Sequence, residues 1–247
     1  MIDTFGAAAA VFGAGIAAGT INTIVGSGTL ITFPTLLALG VPPVLANTSN
    51  TLGLVPGSAS GAWGYRRELT GQRQRFLWLA PATITGGVLG AILLLVLPSG
   101  AFKAIVPILI ALGVLLVIIG PSLSRRLHTH EGRNRWLWPA MFANGIYGGY
   151  FGAAQGVIMM ALFTVGIKDD LQRLNALKNV LSAIVNGVAA VVFLFASHID
   201  WRIAGLLAVG SLIGGQIGAS VGRRLPPLLL RTVIVCVGVA AIVSFTR

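Results

Sequence analysis

No charged side chain stands between Asp3 and Arg66, and this limits the fold more than any motif does. Several apolar windows exceed the roughly 18 residues that cross a bilayer as a helix, and none alternates in the ten-residue pattern of an outer-membrane barrel. Hydrophobic residues make up 55% of the chain and charged residues 9%, where soluble domains carry about a quarter charged. The expected fold is therefore an all-α integral membrane protein. Its 33 glycines lie inside apolar runs, where small residues let helices approach closely.

The apolar segments fall at about 5–25, 28–40, 44–64, 76–97, 101–120, 136–154, 156–166, 175–197, 203–221 and 228–245, read from hydrophobic runs and their breakers. The second and seventh are too short to span. Each follows a glycine break, Gly26-Ser27-Gly28 in one case and 152–156 in the other. No linker separates soluble domains, so residues 1–247 form one transmembrane domain. The N-terminus has Asp3 and no basic region, and reads as the first helix rather than a cleavable signal.

That domain is duplicated. Residues 15–19 (GIAAG) are echoed by 145–149 (GIYGG), Asn50 by Asn179, 86–90 (GGVLG) by 214–218 (GGQIG), Leu97-Pro98 by Leu225-Pro226, and Lys103 by Arg231. The offset stays near about 128 residues, the signature of an internal repeat. Loop charge then sets the relation of the two repeats, 1–120 and 136–247. Arg66, Arg67, Arg73 and Arg75 load one loop, whereas its counterpart holds only Asp200 and Arg202. At the next loop the bias reverses, with Lys103 against Arg223, Arg224 and Arg231. By the positive-inside rule, equivalent loops lie on opposite faces, so the expected repeats are inverted and the basic loop 121–135 that joins them is cytoplasmic; the rival arrangement, four full crossings per half with parallel repeats, leaves the charge swap unexplained. Each repeat then has five segments, one of them a short half-helix that enters and returns.

A helix restarting after a glycine turn aims unsatisfied N–H groups and the positive end of its dipole at whatever precedes it. Half-helices at 29–39 and 154–165, brought face to face by the repeat, make an anion site at mid-membrane. A tight helix hairpin is the plainer explanation of either break alone; the occurrence of two favours binding. Polar side chains gather around them. The first repeat offers Asn22, Gly26, Ser27, Gly28, Thr48, Ser49 and Asn50. The second offers Gln155 and Gly156, then Asn175, Lys178, Asn179, Ser182 and Asn186 on one helical stripe. Single amides in membrane helices usually bond across helices. Lys178 is the one cation inside an expected crossing, where it either snorkels toward the cytoplasm or acts as counter-charge to an anion.

Several chemistries are excluded by what the chain lacks. The net charge of +11 comes from short loops rather than one face, which is topology and not a nucleic-acid surface. All six acids (Asp3, Glu68, Glu131, Asp169, Asp170 and Asp200) fall in expected loops or helix ends, so no carboxylate is placed for a proton relay. Cys236 is alone, and His128 and His130 form an H-x-H without further ligands. No nucleophile–base pair, P-loop or dinucleotide fingerprint is present. Neither an enzyme nor a cofactor is expected.

The order Gly19-x-x-Asn22-x-x-x-Gly26-x-Gly28, Phe33-Pro34, Gly40 and Asn47-Thr48-Ser49-Asn50, repeated more weakly in the second half, resembles the TauE/SafE family over nearly the whole chain. That resemblance implies a multi-pass permease of the bacterial inner membrane that moves sulfite, sulfonates or similar small sulfur-containing anions outward. The sequence departs from the family in reading Gly-Ser-Gly where consecutive glycines are common, and Asn-Thr-Ser-Asn where Ala-Thr-Ser is common. The expected partners are a small anionic substrate, the lipid bilayer and a second copy of the chain. The expected mechanism is alternating access driven by the membrane potential. Two other readings are a cation- or proton-coupled importer of a small anion and a non-transport membrane assembly subunit.

Overall fold

The computed structural model describes residues 4–98 and 135–221, with positions 100, 102, 105, 108, 111, 115 and 232. The segments expected over 101–120 and 228–245, most of the loop 121–135, and Lys103, His128, His130, Arg223, Arg224, Arg231 and Cys236 lie outside the described residues or nearly so. Among the described residues there are eight helices and no strand: α1 (Phe5–Ile24), α2 (Thr29–Ala38), α3 (Pro43–Gly64), α4 (Arg73–Val96), α5 (Leu137–Tyr150), α6 (Gln155–Gly166), α7 (Leu171–Ala196) and α8 (Trp201–Val221). Four of them, α1, α4, α7 and α8, are long and apolar enough to cross a membrane, while α2 and α6 are short. Large apolar side chains, among them Phe5, Val96, Val191, Phe195 and Val209, face outward, as lipid-exposed surfaces do.

The helix ends are set locally. Thr4 caps α1 by accepting from the Ala7 N–H, and Asp170 caps α7 by accepting from the Gln172 N–H, which satisfies groups that a helix start leaves open. Pro43 begins α3, where its missing N–H costs nothing. The ends of α1 and α5 are alike. The N–H groups of Val25 and Gly26 both donate to Ile21 O, and those of Phe151 and Gly152 both donate to Tyr147 O. Gly26 and Gly152 take φ values of 89° and 74°, the left-handed conformation that closes a helix and suits glycine.

Glycine contacts give the helix directions. A Cβ on Gly214 or Gly218 would strike the carbonyls of Ile16 or Thr20, so α8 runs parallel to α1. Gly53, Gly57 and Gly64 lie in turn against Leu207, Ser211 and Ala219, so α3 runs parallel to α8. Gly86 and Gly90 lie against the carbonyls of Phe142 and Ile146, which makes α4 parallel to α5. Gln72 donates to Arg173 O and Gly87 meets Val185, so α7 follows the same direction. Between α3 and α7 the contacts run oppositely, Thr48 with His198, Ser58 with Asn186, and Tyr65 with Ala176.

Two groups of helices result, α1, α2, α3 and α8 in one and α4, α5, α6 and α7 in the other. The crossing of α3 and α7 is the main helix–helix contact between them. Phe33 of α2 adds an edge-to-face contact with Phe151, ring centroids 5.0 Å apart, beside the second break. Within each group the glycines put backbone on backbone, where dispersion contacts are densest.

In packing terms Gly145 meets Thr83 O as Gly19 meets Ser211 O. This is one turn from the pairing of Gly15 with Gly145 read from the sequence, whereas Gly86 with Gly214 and Gly90 with Gly218 match as read.

Candidate functional site

The two glycine breaks lie against each other. The Gly156 N–H donates to Gly26 O at 3.0 Å, and a Cβ on either residue would run into the backbone of the other. Only glycine permits this approach, and Gly26 needs its positive φ as well. Gly28, at the start of α2, is pressed against Ala18 O. Ala154, at the start of α6, is the one non-glycine residue with positive φ among the described residues, at 58°.

Lys178 reaches this junction from α7. It is 0% exposed, so it does not snorkel. Its stem passes Gly156, which has no Cβ to block it. Its ammonium donates to Asn22 O at 3.0 Å and Thr23 O at 3.1 Å, the last carbonyls of α1. Asn175 and Asn179 donate to the same Thr23 O, each at 3.2 Å. Helix ends carry a partial negative charge of about half an electron, so Lys178 is partly compensated there. No carboxylate is paired with it among the described residues.

The two half-helix starts are unequal. In α6 the N–H groups of Gln155, Gly156, Val157 and Ile158 donate to Gly152 O, Gly26 O and Ala154 O. In α2 the Leu30, Ile31 and Thr32 N–H groups are taken, while among the described residues no acceptor meets that of Thr29; the N–H groups just before the helices, Ser27 and Gly28 in one case and Ala153 and Ala154 in the other, are open alike. The Ser27 hydroxyl is also buried without a partner, as is that of Thr23. The open start of α2 and the Ser27 hydroxyl thus adjoin Gly26 in the chain, the Lys178 stem passes Gly156 on the other side of the junction, and the Thr23 hydroxyl lies against Gly61 of α3.

Other expected residues fall into different places. Asn22 donates to the Ser58 hydroxyl at 3.2 Å, and Asn186 donates to the same oxygen at 3.1 Å from the other group of helices. Thr48 donates to His198 O, and Ser49 accepts from the Asp200 N–H, so both anchor the loop between α7 and α8. Gln155 turns to Asn144, which donates back to Gln155 O. Asn50 is buried with its Oδ1 unpaired. Ser58, Asn144 and Thr23 are site neighbours that the sequence did not single out. Ser58 sits in PGSASG, where it reads as a packing residue, and Asn144 has no polar partner at helical spacing.

Charge gathers at one end of the bundle. Among the described residues, Arg66, Arg67, Arg73, Arg75, Arg135, Lys168 and Arg173 lie around the starts of α4, α5 and α7, whereas the opposite end has Asp200 and Arg202. Asp169 joins Arg75 to Arg173. Burial alone would raise its pKa, but the hydrogen bonds from Arg75 and the Asp170 N–H, with the charges of both arginines, hold its carboxyl below the usual range.

Comparison with known proteins agrees with a membrane protein. A family model described as "Sulfite exporter TauE/SafE" matches residues 11–245. A probable membrane transporter protein, ORF9, of Sinorhizobium is 28% identical over 93% of this chain and 88% of its own length. A probable membrane transporter of Haemophilus influenzae is 27% identical over 92% and 89%. The probable membrane transporter YfcA of Escherichia coli K12 is 28% identical over 89% and 82%. No solved structure matches. The family match runs through both glycine breaks and the Lys178 stripe, and these relatives are described as transporters rather than enzymes; the chain belongs to the TauE/SafE family and is a membrane transporter.

Proposed function

We propose that the protein exports a small sulfur-containing anion, sulfite or a short sulfonate, across the bacterial inner membrane by alternating access. The observation that carries this reading is Lys178, fully buried at the meeting of the two breaks and without a carboxylate partner among the described residues. A buried ammonium is costly unless charge is brought to it. An anion held by Lys178, the open N–H groups at the start of α2 and the Ser27 hydroxyl supplies that charge. The family's description as a sulfite exporter points to the class of anion.

The proposed architecture is two inverted repeats joined by a cytoplasmic loop at 121–135. Supporting it, α1 and α5, α3 and α7, and α4 and α8 run in opposite directions, and the glycine contacts of one half recur in the other. The basic end of the bundle is then cytoplasmic. Motion between the two helix groups opens the site to one face and then the other, breaking the polar contacts at Gly26, Thr23 and Ser58 while the glycine seams stay closed.

An inside-negative potential expels an anion with about 2.3 kcal/mol per charge per 100 mV, so no coupling ion is needed for export. The test is sulfite efflux from proteoliposomes with the potential clamped by potassium and valinomycin. Efflux is expected to rise with inside-negative potential and to be indifferent to a pH gradient. Flux that ignored potential and followed the pH gradient would end this reading, and absence of sulfite flux with active taurine or sulfate flux would move the substrate.

A further inference from the structure

Lys178 has a counterpart. Asn50 lies as far from Pro43, the first residue of α3, as Lys178 lies from Leu171, the first residue of α7. Asn47 and Asn175 correspond in the same way, and each donates its amide to a carbonyl at the end of the facing helix, Tyr150 O at 3.0 Å and Thr23 O at 3.2 Å. The ends of α1 and α5 correspond as well, through Gly26 and Gly152 and their matching bonds. Asn22 O and Thr23 O in one half thus answer to Gly148 O and Gly149 O in the other.

The two ends are treated differently. In the first, an ammonium and two amides cover the carbonyls. In the second, among the described residues, no hydrogen bond reaches Gly148 O or Gly149 O. The Asn47 amide reaches only Tyr150 O; Asn47 and Asn50 are each 1% exposed, and the Oδ1 of each is buried without a partner. Among the described residues, then, this end has two free carbonyls, Gly148 O and Gly149 O, no charged donor, and two buried, unpartnered amide oxygens on the helix that faces it.

We propose that this end of α5 binds a dehydrated monovalent cation of sodium's size, which supplies in the second half what the tethered ammonium of Lys178 supplies in the first. Carbonyls at broken helix ends are the ligands such ions take in transporters. A divalent ion would call for carboxylates, and the described acids, Glu68, Asp169, Asp170 and Asp200, all lie in loops between helices. The proposal rests on the correspondence of the two halves and not on the identity of the transported anion.

The test needs no substrate. Thermal unfolding of the purified full-length protein in nanodiscs is followed in sodium, potassium and choline chloride at equal ionic strength. Sodium is expected to raise the unfolding temperature saturably, by about 5 °C or more at a hundredfold excess over its half-saturating concentration, and choline to have no effect. Asn50→Ala is expected to stay monodisperse and lose the response. Asn50→Lys is expected to lose it too, but to unfold at the sodium-stabilised temperature, because the ion is then tethered. Binding of radioactive sodium by the wild type, one per chain and absent in Asn50→Lys, is the second measurement. A wild type indifferent to sodium, a response to potassium alone, or a response that survives in both Asn50 variants overturns the proposal. Absent sulfite flux alongside a normal sodium response would count against the transport reading and leave this one standing.

Discussion

Replacing Lys178 with methionine separates its two duties. The stem keeps nearly its length beside Gly156, so little volume is lost. Asn22 O loses its one donor among the described residues, which for a bond to a charged group is worth about 1.5–3 kcal/mol. Thr23 O keeps the amides of Asn175 and Asn179. Against this loss stands relief from burying an ion, several kcal/mol in its own right. The two nearly offset, and Lys178→Met is expected to unfold within a few degrees of the wild type. Its effect on an anion is not offset. At a separation of about 5 Å and an effective dielectric of about 20, one unit charge attracts another by about 3 kcal/mol, or roughly 100- to 300-fold in affinity. Sulfite efflux from proteoliposomes, measured over a range of internal concentrations, is therefore expected to need at least about 100-fold more substrate for half-maximal rate. A folded Lys178→Met protein with wild-type half-saturation would refute the argument.

Gly214→Ala sets a Cβ against Ile16 O in the α1–α8 seam, and overpacking of this kind costs about 1–3 kcal/mol; thermal unfolding in detergent is expected to fall by several degrees, while Gly187→Ala on α7, with open space around it, is expected to change it by less than about one. The Asp169 carboxyl has its pKa lowered in the folded state, so its stabilisation is complete above the ordinary aspartate range and is lost as pH falls through the lowered value. Unfolding temperature between about pH 6 and pH 3 is expected to drop more in the wild type than in Asp169→Asn, by an amount worth no more than about 1 kcal/mol for this partly exposed group.

How much of this was visible in the sequence depended on how far apart the interacting residues lie. The breaks at Gly26 and 152–156 were legible because glycine and polar residues inside an apolar run have few explanations. The stripe Asn175, Lys178 and Asn179 was legible because helical periodicity puts it on one face, and the structure turns that face to the end of α1. Thr48 and Ser49 were grouped with the break because they adjoin Asn50, yet their partners, His198 and Asp200, come from the other end of the chain. Nothing local reports such a contact. The register of α1 with α5 slipped by a turn because small residues recur every four positions in both, and it is fixed only by the helix ends at Gly26 and Gly152. The equivalence of Asn50 with Lys178 was hidden for the same reason, since Asn179 is the nearer match by residue type.

The grouping of α8 with α1 and α3, and of α4 with α5 and α7, has a consequence for how the protein is made. The chain leaves the ribosome in order, so α1, α2 and α3 enter the membrane long before the helix that fills their glycine grooves exists. Their seam closes only when α8 arrives, after α4 to α7 have been made, and α4 likewise waits for α5. Neither half is a folding unit by itself. The early helices must hold their place in lipid with Gly15, Gly19, Gly53 and Gly57 uncovered, while the group of α4 to α7, contiguous in the chain, is complete before α8 closes the other.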